Sequence, residues 1–175
     1  MKKVILFFMF TVFLASNICC TARDRDPSEK IEIRSGANLI WQQEMPEEKM
    51  NYRDAVNYCE NLEYDGHADW RLPTISELRT IIRNCPATEP GGACKVTDEC
   101  LVWDKCHSED CRSCRNDEPG YFSPFNDTYW LWSSSQRMDT INISWVVKFY
   151  IGSVGNRHVS LKGNVRCVRE LTSKS

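Results

Sequence analysis

The chain has 175 residues, 42% of them hydrophobic, and a formal charge of −2. That length holds one domain with a real core and leaves too little for a comfortable second. The hydrophobic fraction excludes disorder throughout, and the small net charge points to no nucleic acid and no acidic substrate as a global partner.

Residues 1–22 read as a secretory signal peptide: Lys2 and Lys3 precede an apolar run from Val4 to Ala15, followed by smaller residues. A transmembrane helix needs about 20 apolar residues, so this run is too short to be one. Two processing readings compete. Cys20-Thr21-Ala22 fits ordinary cleavage after Ala22, and the alternative is lipidation of Cys20, for which Ile18 and Cys19 make a poor signal. Either way the chain is expected to be exported, as a periplasmic, outer-membrane lipoprotein or secreted protein, with membrane contact only through a lipid anchor. Of ten cysteines, Cys19 and Cys20 lie in this region. The remaining even set is Cys59, Cys85, Cys94, Cys100, Cys106, Cys111, Cys114 and Cys167, which in an oxidising compartment reads as disulfides.

Residues 23–30 are polar and read as a tether. One domain is expected over 31–175, with a cysteine-rich insertion at 85–124. Ile31 to Arg34 alternate like an edge strand, and Leu39-Ile40-Trp41 makes a better one. Met45 to Lys49 is a loop. Asn51 caps a helix that carries Asp54 at its positive end and Ala55, Cys59 and Leu62 on one face. After a turn at Asp65-Gly66, Pro73 forces Leu72 out of helical geometry. Thr74 and Glu77 then form a capping box for a second helix, whose apolar side is Ile75, Leu78, Ile81 and Ile82 and which ends near Arg83.

From Cys85 to Pro124 the apolar periodicity is nearly absent, and six of the eight exported cysteines fall there. This stretch reads as a long loop stapled by three internal disulfides, with pairing left open. The last third is strand-rich: Tyr129 to Ser133, then Ser144 to Ile151 with Trp145, Val147, Phe149 and Ile151 on one face and Ser144, Val146, Lys148 and Tyr150 on the other. A turn is expected at Gly152 to Asn156, a strand at His158 to Leu161, a turn at Gly163-Asn164 and a closing strand from Val165 to Arg169, together an antiparallel meander.

Cys59, Leu62, Gly66, then Asp69-Trp70-Arg71-Leu72-Pro73-Thr74 and Glu77-Leu78 resemble the Lcl C-terminal domain family, named after a bacterial collagen-like adhesin. The far end agrees, through Tyr129 to Ser135, Trp145-Val146-Val147 and Val165 to Arg169. The resemblance implies export and an α+β, C-type-lectin-like fold, with two short helices against an antiparallel sheet. It also implies that the last strand lies beside the first helix, which places Cys167 to bond Cys59. Closing so long a loop is worth about 4–5 kcal/mol in the chain-entropy model.

Several motifs invite sharper chemistry. Cys100, Cys106, Cys111 and Cys114 with His107 outline a zinc knuckle, but thiolate zinc belongs mainly to reducing compartments, so disulfides are expected. Cys111-Arg112-Ser113-Cys114 is a CxxC without the flanking strand and helix that activate one. Phe125-Asn126-Asp127 resembles the calcium signature of sugar-binding lectins. Calcium needs six to eight oxygens, so a turn at Asn126 and Asp127 competes with the ion, and otherwise no cofactor or metal is expected. Trp70 and Arg71 read as scaffold, with Arg71 tying loop carbonyls or pairing with Asp69 or Glu77. Trp130, Trp132 and Trp145 read as core, unless one is exposed as a sugar platform. His67, His107 and His158 form no recognisable catalytic arrangement.

From Arg137 to Ser175 there are seven basic and two acidic residues. Lys148, Arg157, Lys162 and Arg166 would form a patch for sulfated or uronic polysaccharide if they share a solvent face of the meander. The expected function is therefore a non-enzymatic binding module for a glycan or an envelope protein. Two alternatives stand beside it: an envelope lipoprotein with a structural role, and a cysteine-dependent enzyme with the related topology of formylglycine-generating enzymes.

Overall fold

The computed structural model describes residues 38–171, apart from 113, 115 and 117. The signal peptide, Cys20, the tether and the strand expected at Ile31 to Arg34 lie outside the described residues.

The chain enters through β1 (Leu39–Trp41) and reaches α1 (Tyr52–Glu60). Asn51 caps α1 as its sequence predicts, its side chain accepting from the backbone N–H of Asp54 at 3.0 Å. Ala55 and Cys59 are its buried residues. The Asp69–Thr74 corner follows. Trp70 is buried and its indole N–H donates to the carbonyls of Tyr64 and His67. Arg71 grips Glu77 with two 2.7 Å bonds, and Glu77 also closes the capping box with Thr74. One carboxylate thereby serves both the corner and the start of α2 (Ile75–Arg79).

The second helix is shorter than its apolar pattern predicts. The amides of Thr80, Ile81 and Ile82 bond three residues back, not four, so the chain tightens into turns after Arg79. The Arg79 guanidinium is buried and donates to the carbonyls of Thr88, Val96 and Glu89. Those three bonds anchor the start of the insertion to the helix, and burial lowers the Arg79 pKa from its ordinary value. Ile81 and Ile82 are buried all the same.

The insertion holds the three expected staples, Cys85–Cys114, Cys94–Cys111 and Cys100–Cys106. It also holds two short elements the sequence gives no period for, α3 (Trp103–Cys106) and a 3-10 turn at Glu109–Cys111. Val96 and Phe122 are fully or nearly fully buried, so the insertion contributes apolar surface to the core as well as covalent ties.

Three strands form one antiparallel sheet in the order β2 (Trp130–Gln136), β3 (Ile143–Lys148) and β4 (Ser153–His158). The reversal between β3 and β4 falls at Phe149 to Gly152, not at Gly152 to Asn156. Gly152 turns there with φ +59, and a Cβ would lie 2.8 Å from the Phe122 ring. The strand expected at His158 to Leu161 therefore starts five residues earlier, and Val159 to Leu161 is turn. The last strand, β5 (Val168–Glu170), leaves the meander and pairs antiparallel with β1, Ile40 opposite Arg169. Cys167 sits just before β5 and bonds Cys59 of α1 across 108 residues. The architecture is the α+β, lectin-like arrangement that the resemblance implies.

The three-stranded sheet has no open solvent face over its centre. Leu131, Trp145, Val147 and Val154 pack toward α2 and the insertion. Trp132 and Val146 pack toward α1, Trp70 and Cys167. Only the end of this second face, where β2 and β3 pair Trp130 with Lys148, reaches the surface.

Candidate binding surface

Trp130 and Lys148 are cross-strand partners and both are half-buried. Two glycines shape this end of the sheet. A Cβ on Gly163 would lie 2.2 Å from the Trp130 ring, so the indole lies directly across the Gly163-Asn164 turn. A Cβ on Gly155 would lie 3.1 Å from Lys148 Nζ, so the lysine stem crosses β4 over bare backbone. On the far side Arg157 places its guanidinium 5.8 Å from the Trp130 ring centroid. Neither Lys148 nor Arg157 has a carboxylate within ion-pair distance among the described residues. Burial, and then the neighbouring Arg157 charge, lower the Lys148 pKa from its ordinary value. Nearby, Tyr129 is 52% exposed with the Lys49 ammonium 4.2 Å above its ring.

The other basic residues of the C-terminal third are engaged elsewhere. Arg166 corrects the patch read from the sequence: it is 2% exposed and cannot meet a ligand in solution. It donates to Asp127 at 2.6 Å and to the Gln42 and Gln43 carbonyls, under the Phe125 ring. Lys162 is exposed but lines a groove of ≈ 280 Å³ that also carries Glu48 and Asp54. Arg169 is buried beside His67 and Asp69, and Arg137 is paired with Asp139. Of the described basic residues from Arg137 onward, Lys148 and Arg157 are the two that come together at Trp130.

Asp127 turns its carboxylate inward, onto Arg166 and the Ser123 hydroxyl, and a cation in its place would meet the guanidinium. Asn126 shapes a turn with φ +58. That backbone is the turn this triplet also reads as. Cys111 bonds Cys94 and Cys114 bonds Cys85, so the cysteines of the knuckle outline and of the CxxC are all in disulfides, as an oxidising compartment leads one to expect. Among the described residues no cluster of His, Cys, Asp and Glu is arranged to hold a metal ion. His107 stacks on Trp103 at 3.8 Å, and burial lowers its pKa. Trp132 and Trp145 are fully buried, and of the three only Trp130 reaches the surface. The sequence carried no local signal for this meeting, since placing Trp130 opposite Lys148 requires the strand pairing.

The fold and this surface define an α+β domain with a disulfide-stapled insertion. The Lcl C-terminal domain matches residues 35–169, and the chain belongs to that family. No curated protein matches the chain. Among solved structures, a complex of a mutant von Willebrand factor A1 domain with botrocetin aligns at 10% identity and a TM-score of 0.35, covering 81% of this chain and 98% of that one. That likeness is too loose to bear on function. Among the described residues no helix is long and apolar enough to cross a membrane.

Proposed function

We propose that the chain is an exported, non-enzymatic binding module that holds anionic polysaccharide on Trp130, Lys148 and Arg157. The observation that carries this reading is a half-buried indole with the Arg157 guanidinium near its ring and Lys148 as its cross-strand partner, neither cation having a carboxylate within ion-pair distance among the described residues. Lys148 is partly desolvated by the fold itself, so part of the cost of stripping water from a ligated ammonium is met before any ligand arrives. An acidic sugar offers both partners at once: an anionic group for the cations and an apolar ring face for the indole. All eight described cysteines are in disulfides, which supports binding over thiol chemistry.

Titration of the mature chain with sulfated, uronic and neutral polysaccharides at low and high salt tests this. The expected result is binding to the two anionic classes that weakens with salt, because exposed charges are screened over about 10 Å at 0.1 M. Equal binding to neutral chains at all salt concentrations overturns it.

The envelope-protein reading has one observation of its own. Met138 and Ile141 are 76% and 81% exposed at the β2–β3 turn. The turn is braced by Arg137, which bonds Asp139 and holds its carboxyl down to about 2, and by Asp139 accepting from the Trp103 amide. Replacing Met138 and Ile141 by Ser together should leave polysaccharide binding intact; loss of a co-purifying envelope protein in that variant would favour the protein partner. Lipidation at Cys20 is decided by the mass of the mature N-terminus: a lipid-modified cysteine favours the anchored form, and an unmodified Arg23 favours cleavage after Ala22.

A further inference from the structure

Just past the end of β3, Tyr150 and Ile151 line one side of a cleft of ≈ 420 Å³. Asn116, Glu118, Pro119, Gly120 and Thr128 also line it. That volume lies within the range of about 300–1,000 Å³ usual for small-molecule sites. The walls are tied together. The Cys114 amide donates to the Ile151 carbonyl at 3.0 Å, Cys114 is itself bonded to Cys85, and the Thr88 hydroxyl donates to the Gly152 carbonyl. Gly120 turns with φ +75, and a Cβ there would stand 2.8 Å from Asn126 Cα, so this wall is closed tightly against its own neighbour. A cleft held on both sides needs little reorganisation to receive a ligand.

The lining has a definite chemistry. Tyr150 is 44% exposed and offers a ring face to C–H groups. Thr128 offers a hydroxyl, Asn116 an amide and Glu118 a carboxylate, which together can donate to and accept from neighbouring hydroxyls. The Glu118 charge disfavours an acidic group here, opposite in sense to the cation pair at Trp130. We infer that this cleft, whose Tyr150 follows Lys148 by two residues, is a subsite for an uncharged hexose residue. The inference rests on the glycan reading and extends it to a chain in which an acidic sugar stands next to a neutral one.

The test is NMR titration of the mature chain with neutral glucose, galactose, mannose and N-acetylglucosamine disaccharides. At least one is expected to give saturable shifts centred on Thr128, Tyr150 and Ile151. Tyr150→Ala should weaken it about tenfold, an effect of the size expected for a lost stacking contact, while Lys148→Ala leaves it unchanged. Thr128→Val, which keeps the shape and removes the hydroxyl, should also weaken it. No saturable shift at millimolar sugar, or shifts that Tyr150→Ala does not alter, overturn the subsite. Anionic chains that bind through Lys148 and Arg157 without any neutral-sugar shift leave the anion site standing and remove this one. Neutral-sugar shifts without anionic binding do the reverse.

Discussion

The frame and the insertion reach order by different routes. The frame, from β1 through α2 and from β2 to β5, is held by packed tryptophans, capped helices and one long disulfide between Cys59 and Cys167. The insertion has two short helical turns and three disulfides that span 29, 17 and 6 residues. It borrows rigidity from the frame through Arg79, whose guanidinium satisfies three of its carbonyls. Packing serves a segment that can present a continuous apolar face. A segment rich in turns and poor in period needs covalent ties and polar anchors before it can hold a surface steady.

The difference sets the order of expected effects. Replacing Cys59 and Cys167 together by Ala removes a constraint worth about 5 kcal/mol in the chain-entropy model, with strain or residual structure able to reduce it. Chemical denaturation should show the whole frame losing stability, with the transition still cooperative. Asp127→Ala leaves the Arg166 guanidinium buried without its carboxylate, at a cost of about 3–5 kcal/mol. Adding Arg166→Met to that variant should recover much of the loss, because two apolar groups replace a broken pair. Replacing Cys100 and Cys106 by Ala opens a loop of 6 residues' separation, worth about 2 kcal/mol. Here amide exchange should quicken in the insertion while β2 and β3 remain protected. A frame that unfolds with this last variant would show that the two regions are one cooperative unit.

The smallest stability effect is the most informative one. Lys148→Ala should change folding stability by no more than about 0.5 kcal/mol, yet weaken anionic polysaccharide. Its pH dependence has two opposite signs. Burial and Arg157 hold the Lys148 pKa below the ordinary lysine value of 10.5. Between the lowered value and 10.5 the unfolded chain holds more protons, so this group makes the fold more stable as pH rises through that window. Anion binding needs the charged amine and weakens as pH rises through the lowered value. Stability and binding followed over alkaline pH should therefore diverge in the native chain, and this divergence should vanish in Lys148→Ala.

Local chemistry was legible wherever partners are close in sequence. Asn51 and Asp54 mark one helix start, Thr74 and Glu77 the other, and Arg71 finds Glu77 six residues on. The long disulfide came through the family resemblance, since nothing near Cys59 names Cys167. What lay beyond reading depended on distant partners. Arg166 entered the basic patch on the charge excess of the C-terminal third, but its guanidinium is held inside by the Gln42 and Gln43 carbonyls and by Asp127, 39 residues away. The start of β4 was misplaced because Gly152 to Asn156 carries two glycines that serve different ends: Gly152 turns the chain, and Gly155 clears a path for Lys148 inside a strand. Trp130 reads like Trp132 by alternation, and only the Gly163 turn beneath it shows why one is half-exposed and the other sealed.

The measurement to make first compares affinity for a uronic or sulfated polysaccharide in the native chain, Lys148→Ala, Arg157→Ala and the double variant, alongside Lys162→Ala. Affinity should fall in each single variant of Lys148 and Arg157, fall furthest in the double variant, and stay near native in Lys162→Ala. Equal losses from all three single variants would mean that general positive charge, and not the pair at Trp130, holds the ligand. Unchanged affinity in the double variant would contradict a binding role for this end of the sheet.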